Sequence, residues 1–103
     1  MLPDELDVTV TSKHLNDGSR TDPEKGPLSL AVRDALAELG VEVRAVKVRE
    51  EDVVLYPPRQ IHHMARYWMD DAAWKLVHRH RWGARVKATT VTLSSIYIDR
   101  SHG

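Results

Sequence analysis

Two groups of side chains have types and spacings that could do chemistry. The first is His62-His63 with Asp70-Asp71, together with the series His63, Tyr67, Asp70, Trp74 and His78. On a single helix that series falls at i, i+4, i+7, i+11 and i+15, so residues one turn apart could jointly touch a ligand or a metal. The spacing is not His-Glu-x-x-His or another recognised ligand motif, and the alternative is a solvated helix face. The second group is His78-Arg79-His80-Arg81-Trp82-Gly83-Ala84-Arg85-Val86-Lys87, which holds four fixed positive charges, two histidines and one tryptophan, and no acid. A basic segment with an aromatic is what phosphate attraction plus base stacking requires of a nucleic-acid site. Its structural alternatives are compensation of a helix dipole by residues 78 to 81 and a core anchor for Trp82.

Little else assembles. His14, as the third residue of a short helix, is expected to bond near its own N-terminus rather than serve as a ligand or base. Ser12, Ser29, Ser94 and Ser95 lack a nucleophile-elbow context, and Gly18 and Gly26 are isolated, so there is no phosphate-cradling loop. Nothing joins a nucleophile, a base and an oxyanion donor, and the expectation is a protein that is not an enzyme and needs no cofactor or metal. With no cysteine among 103 residues, disulfides, thiolate zinc sites and a cysteine nucleophile are excluded together.

These residues must be carried by one compact domain. The composition is 42% hydrophobic and 29% charged, against collagen, a coiled-coil rod and extended disorder. No stretch approaches the apolar length of a membrane span, and the first residues are acidic where a secretory leader would be basic, so a cytoplasmic, non-membrane protein is expected. The net charge of zero conceals an asymmetry. Residues 1–52 carry 12 acids and 7 bases, a balance of −5; residues 53–103 carry 3 acids and 8 bases, a balance of +5, with five of the six histidines. Such a division fits a basic partner-binding face, association of unlike faces, or a dipolar monomer.

Periodicity supplies the elements. Leu6, Val8 and Val10 alternate with polar residues as in a half-buried strand. Thr11 can cap a short helix ending at Asp17, with Gly18 free to take the left-handed conformation after it. Residues 18–26 read as an exposed, mobile loop. Pro27 opens a helix with Leu28, Ala31, Val32, Ala35, Leu36 and Leu39 on one stripe and Gly40 beyond its end. Residues 41–56 read as a hairpin, with a bulge near Ala45 where the valine phase slips. Between Arg59 and Arg81 the residues Ile61, Met64, Ala65, Trp68, Met69, Ala72, Ala73, Leu76 and Val77 recur every three or four positions, predicting one continuous helix closed by Gly83. Residues 86–98 form a last strand. The result is an α+β fold of β-α-β-β-α-β order, with a four-stranded, mainly antiparallel sheet and two helices on one face, an order that matches that of a ferredoxin-like split βαβ.

Two stretches, Val10-Thr11-Ser12-Lys13-His14-Leu15-Asn16-Asp17-Gly18 followed by Pro27-Leu28-Ser29-Leu30-Ala31-Val32, and Leu76 to Leu93, resemble a group of small bacteriophage and prophage proteins. That group carries a Val-Thr-x-x-His-Ile-x-x-Gly start, a Cys-Pro-Ile-Ala-Leu-Ala-like helix and a Phe-Ile-x-x-Phe-Asp-x-Gly segment before a final strand. Here Gly26 stands at the frequent cysteine, His80 near the second Phe, and the usual Phe and Pro of the last strand are missing. The resemblance covers the two ends of the chain. It implies a phage or prophage accessory protein and brings no activity or catalytic residue with it.

On the predicted long helix Tyr67 and Trp74 lie outside the apolar stripe, and exposed aromatics supply many interface hot spots. The alternative for Trp74 is packing under a neighbouring loop. The expectation is an interaction module that binds a host or viral protein through Tyr67, Trp74, His78, Arg79, Arg81, Arg85 and Lys87. Two other readings stay open: a nucleic-acid-binding domain using Arg79, Arg81, Arg85 and Lys87, and a homodimer joined by unlike charged surfaces or by final strands pairing edge to edge.

Overall fold

A computed structural model describes residues 2–59, 62 and 65–96. Five strands and three helices follow in the order β1 (Glu5–Val10), α1 (Ser12–Asp17), α2 (Pro27–Glu38), β2 (Ala45–Val48), β3 (Asp52–Tyr56), β4 (Ala65–Met69), α3 (Asp71–Arg81) and β5 (Thr89–Ser95). The strands make one sheet in the order β1-β5-β4-β3-β2, and every neighbouring pair is antiparallel.

The strands at the two edges, β1 and β2, both pack on α2, so the sheet curls around that helix. Alternation sets the inner face: Leu6, Val8 and Val10, then Val91 and Leu93, Tyr67, Val53 and Leu55, and Val46 and Val48 all turn inward. Helix α2 supplies Leu28, Ala31, Val32 and Leu36, while α3 supplies Ala73, Leu76 and Val77. Each helix buries one stripe at three- and four-residue spacing.

The α+β class with an antiparallel sheet stands; the predicted four strands and two helices become five and three. The connections are not ferredoxin-like. A split βαβ holds one strand between its two parallel members, whereas three strands separate β1 from β2 here.

The main correction falls on residues 59–81, which are not one helix. Residues 65–69 form β4 and a new helix begins at Asp71, while residues 60, 61, 63 and 64 lie outside the described ones. Ala65, Tyr67 and Met69 alternate with Arg66 and Trp68, a period-2 pattern that the coincident helical spacing of Ala65, Trp68, Met69 and Ala72 concealed. Asp70 is the punctuation between the two elements. Its carboxylate accepts a hydrogen bond from the Ala73 N–H at 2.8 Å and caps α3, with Asp71 in the first turn where the dipole favours an acid.

Smaller corrections have equally local causes. Gly18 is extended, with φ −73°, and does not adopt the left-handed form, which occurs at Gly40 and Gly83. The valine phase slip is no bulge: β2 starts at Ala45, and Val41 and Val43 belong to the preceding loop, where they pack against the core. Residues 18–26 form a loop with no buried residue, held by local hydrogen bonds. Ser19 Oγ accepts the N–H groups of Thr21 and Asp22, and the Pro23 carbonyl accepts from Val48 N and Ser29 Oγ, which covers the edge of β2. The final strand is not an edge strand of the sheet: β5 lies between β1, which pairs along Thr89–Ser94, and β4, which pairs with Leu93, Ser94 and Ser95; residues 97 and 98 of that prediction fall outside the described residues.

Candidate functional site

The residues expected to line one docking face separate into three environments. Tyr67 leaves the surface. It is 1% exposed on the inner face of β4, and its hydroxyl donates to the Pro3 carbonyl at 2.6 Å. Burial, with a smaller contribution from the Asp4 charge, raises its phenol above the ordinary range. The proposed line from His63 to His78 is therefore broken, and His63 itself lies outside the described residues.

Trp74, His78 and Arg81 stay together, at i, i+4 and i+7 on the outer side of α3. Trp74 is 44% exposed, and its ring meets the His78 imidazole with centroids 4.1 Å apart. The turn between β2 and β3 reaches this line. Glu50 places its carbonyl 3.4 Å from His78 Nε2 and its carboxylate 3.5 Å from Arg81 Nη1. The segment 78–87 holds no acid in sequence, yet the fold supplies one. His80 faces the other way, with Nε2 at 3.2 Å from the Leu15 carbonyl, tying α3 to α1.

Beyond the helix, Trp82 is 84% exposed. The inward stripe of α3 is Ala73, Leu76 and Val77, and Trp82 falls off that stripe as the residue that ends the helix. A core anchor at this position is thus ruled out. Val86 packs against the core, and its neighbours Arg85 and Lys87 are exposed. Arg79, Arg85 and Lys87 make no side-chain hydrogen bond or ion pair among the described residues.

One site residue was missed by periodicity. Trp68, assigned to the core stripe of the expected helix, sits on the outer face of β4 and is 42% exposed. It lines a shallow groove with Glu51, Met69, Asp70, Asp71 and Trp74. The Glu51 carbonyl accepts the Met69 N–H at 3.0 Å, which fixes the β2–β3 turn beside the groove. Alternation of Ala65, Tyr67 and Met69 was the signal that could have found it.

On the other side of Trp68 lies a charge cluster built around one buried carboxylate. Asp52, directly opposite Trp68 in the β3–β4 pairing, is 3% exposed. It accepts from Arg49 Nε at 2.7 Å, Arg49 Nη2 at 2.9 Å and Arg66 Nη2 at 2.9 Å. Burial opposes its charge, but the hydrogen bonds and charges of the two arginines outweigh that cost and hold the carboxyl below its ordinary range. The Asp52 hydrogen bond in turn raises Arg49. Through Arg66, Asp52 braces β3 against β4.

His14 behaves as expected of a capping residue. Thr11 N donates to its Nδ1 at 3.0 Å, and its Nε2 lies 2.6 Å from Asp34 Oδ2, so both ring nitrogens are engaged. Among the described residues no group of three or more His, Asp or Glu is placed to hold a metal ion, and no helix is long and apolar enough to cross a membrane.

Fold and site together define an α+β domain whose exposed aromatics and unpaired cations gather around one helix. Comparison with protein-family models, with curated proteins and with solved structures returns no match.

Proposed function

We propose that this chain is a non-catalytic interaction module that binds a protein partner through the outer face of α3, from the Trp68–Trp74 groove to the basic segment 78–87. The observation that carries the reading is the pairing of two exposed tryptophans, from different elements, in one groove. Two large aromatic faces left in water at one place are unusual unless something covers them, and tryptophan is among the commonest anchors of protein interfaces. The site residues of this reading are Trp68, Trp74, His78, Arg79, Arg81, Arg85 and Lys87, with Tyr67 removed. Acids at the groove end and cations at the far end of α3 suit a protein surface carrying both signs better than a uniformly anionic polymer. The resemblance of the two chain ends supports a phage-encoded accessory protein with a host or viral target. The test is affinity capture with the wild-type chain, Trp68→Ala/Trp74→Ala, and a Thr9→Ala/Thr90→Ala control on β1 and β5, on the same outer sheet face but outside the groove. Loss of a partner in the tryptophan variant alone is expected. Equal capture by all three rejects the reading.

The exposure of Trp82 favours a second reading. An indole in solvent beside Arg79, Arg85 and Lys87, none of them paired, has the components of a single-strand nucleic-acid contact. Retention on single-stranded DNA or RNA that weakens steeply with salt is its expected signature, and no retention at low salt rejects it.

A further inference from the structure

We propose that the Trp68–Trp74 groove is the receptor for one cationic side chain, a lysine or arginine presented by the partner protein. The inference rests on reading the α3 face as a protein-docking surface and specifies what enters it. The groove is lined by Glu51, Trp68, Met69, Asp70, Asp71 and Trp74, which gives it two indoles, a thioether and three carboxylates, and no basic lining residue.

The three carboxylates are not equivalent. Asp70 is occupied on both oxygens, by Ala73 N at 2.8 Å and Thr92 N at 3.0 Å. Asp71 is paired with Lys75 one turn along α3, at 2.9 Å. Glu51 has no hydrogen bond or ion pair from its carboxylate among the described residues. A cation entering the groove therefore meets two exposed indoles, one of them also in contact with the His78 ring, and one uncommitted carboxylate. The other occupants fit worse. A phosphate would meet the uncommitted Glu51 carboxylate with no lining cation to pair it and with the Ala73 N–H at the start of α3 already taken by Asp70, and an aliphatic side chain would cover Glu51 without replacing its water. The same chemistry fixes polarity along the helix: the partner places its cation at the start of α3 and its acids against Arg79, Arg85 and Lys87 at the end.

The full-length chain offers a direct readout, because its three tryptophans give three indole N–H resonances by NMR, assignable with Trp74→Ala and Trp82→Ala. The probes are N-acetyl-arginine amide and N-acetyl-lysine amide, with N-acetyl-norleucine amide as the uncharged control. Saturable shifts of the Trp68 and Trp74 resonances, on the order of millimolar in affinity for a lone side chain, with Trp82 unmoved and norleucine inert, are expected. Glu51→Gln, an exposed change that leaves the packing intact, should weaken the probes about threefold, the scale of one exposed ionic contact. Equal shifts with norleucine, or no shift at Trp68 and Trp74, overturn the proposal. Shifts that appear on raising the protein concentration alone, with dimers in sedimentation, assign the groove to a second copy and overturn it also. The two readings fail separately. Probe binding with unaltered partner capture by the double tryptophan variant removes the docking face and leaves the groove; loss of capture without probe binding does the reverse.

Discussion

The hydroxyl of Tyr67 donates to the carbonyl of Pro3 across 2.6 Å, so a residue in an internal strand holds the chain segment that leads into β1. With its ring 1% exposed, Tyr67 is a lock between β4 and the N-terminal segment rather than a docking residue. Tyr67→Phe keeps the ring and removes the bond, and should lower the unfolding free energy by about 1 kcal/mol, the usual net worth of such a bond. Urea denaturation should give a shifted midpoint at an unchanged slope, and partner capture should be unaffected. A variant as stable as wild type would show that the bond contributes nothing.

Asp52 makes three hydrogen bonds to Arg49 and Arg66 while almost wholly buried. Asp52→Asn should destabilise at neutral pH by roughly 1.5–3 kcal/mol, the range for hydrogen bonds to charged groups. The pH dependence follows from the direction of the shift. A carboxyl held below its unfolded value binds fewer protons in the folded state, so its contribution is complete above the ordinary aspartate range near ~4 and is lost as pH falls through the lowered folded value. The stability difference between wild type and Asp52→Asn should be constant from pH 7 to about 5 and shrink progressively below pH ~4. A difference that grows in acid contradicts the assignment.

Asp70 serves two elements at once, capping α3 through Ala73 N and holding β5 through Thr92 N. Asp70→Ala should therefore cost more than a simple cap, about 2–3 kcal/mol against about 1 for the cap alone. Asp70→Ser can restore the cap but does not reach Thr92 with a second oxygen, and should recover about 1 kcal/mol of that loss. Thermal unfolding of the three proteins decides it. If serine recovers everything, the Thr92 contact is idle.

Much of this architecture was legible because one period dominated each segment. Leu6-Val8-Val10 and the α2 stripe beneath Pro27 admit one reading, and both elements occur as expected. The segment from Ala65 to Ala72 satisfies both periods at once, and a continuous helix takes in Ala65, Trp68, Met69 and Ala72 and leaves out only Tyr67, so β4 was hidden. Two pieces of local chemistry argued otherwise: the adjacent acids Asp70-Asp71, which suit a helix start, and the β-favouring pair Tyr67-Trp68. The site divided along the same line. Trp74 and His78 lie within α3 and kept their relation; Tyr67 and Trp68 exchanged faces, because a strand sends neighbours to opposite sides. The approach of Glu50 to Arg81 and of Glu51 to the groove depends on strand pairing, which no local pattern encodes.

Gly18 is required by proximity rather than by backbone conformation. Its φ of −73° is open to any residue, but a Cβ placed there would lie 2.5 Å from Pro27 N, 2.6 Å from Pro27 Cδ and 2.9 Å from the His14 carbonyl oxygen. These are backbone and ring atoms at the junction of α1 and α2, so they cannot rotate away as the end of a flexible side chain does. Gly18→Ala should force the two helices apart and destabilise by about 1–3 kcal/mol, as overpacking does. Gly26 gives the contrast. A Cβ there meets nothing closer than 3.5 Å, and its φ of −74° is equally ordinary. Gly26→Ala should stay within about 0.5 kcal/mol of wild type. Because the two glycines flank the same loop, a general effect of stiffening the loop would move both variants alike. A fall in melting temperature confined to Gly18→Ala identifies the close approach to Pro27 as the cause, and equal falls at both positions reject it.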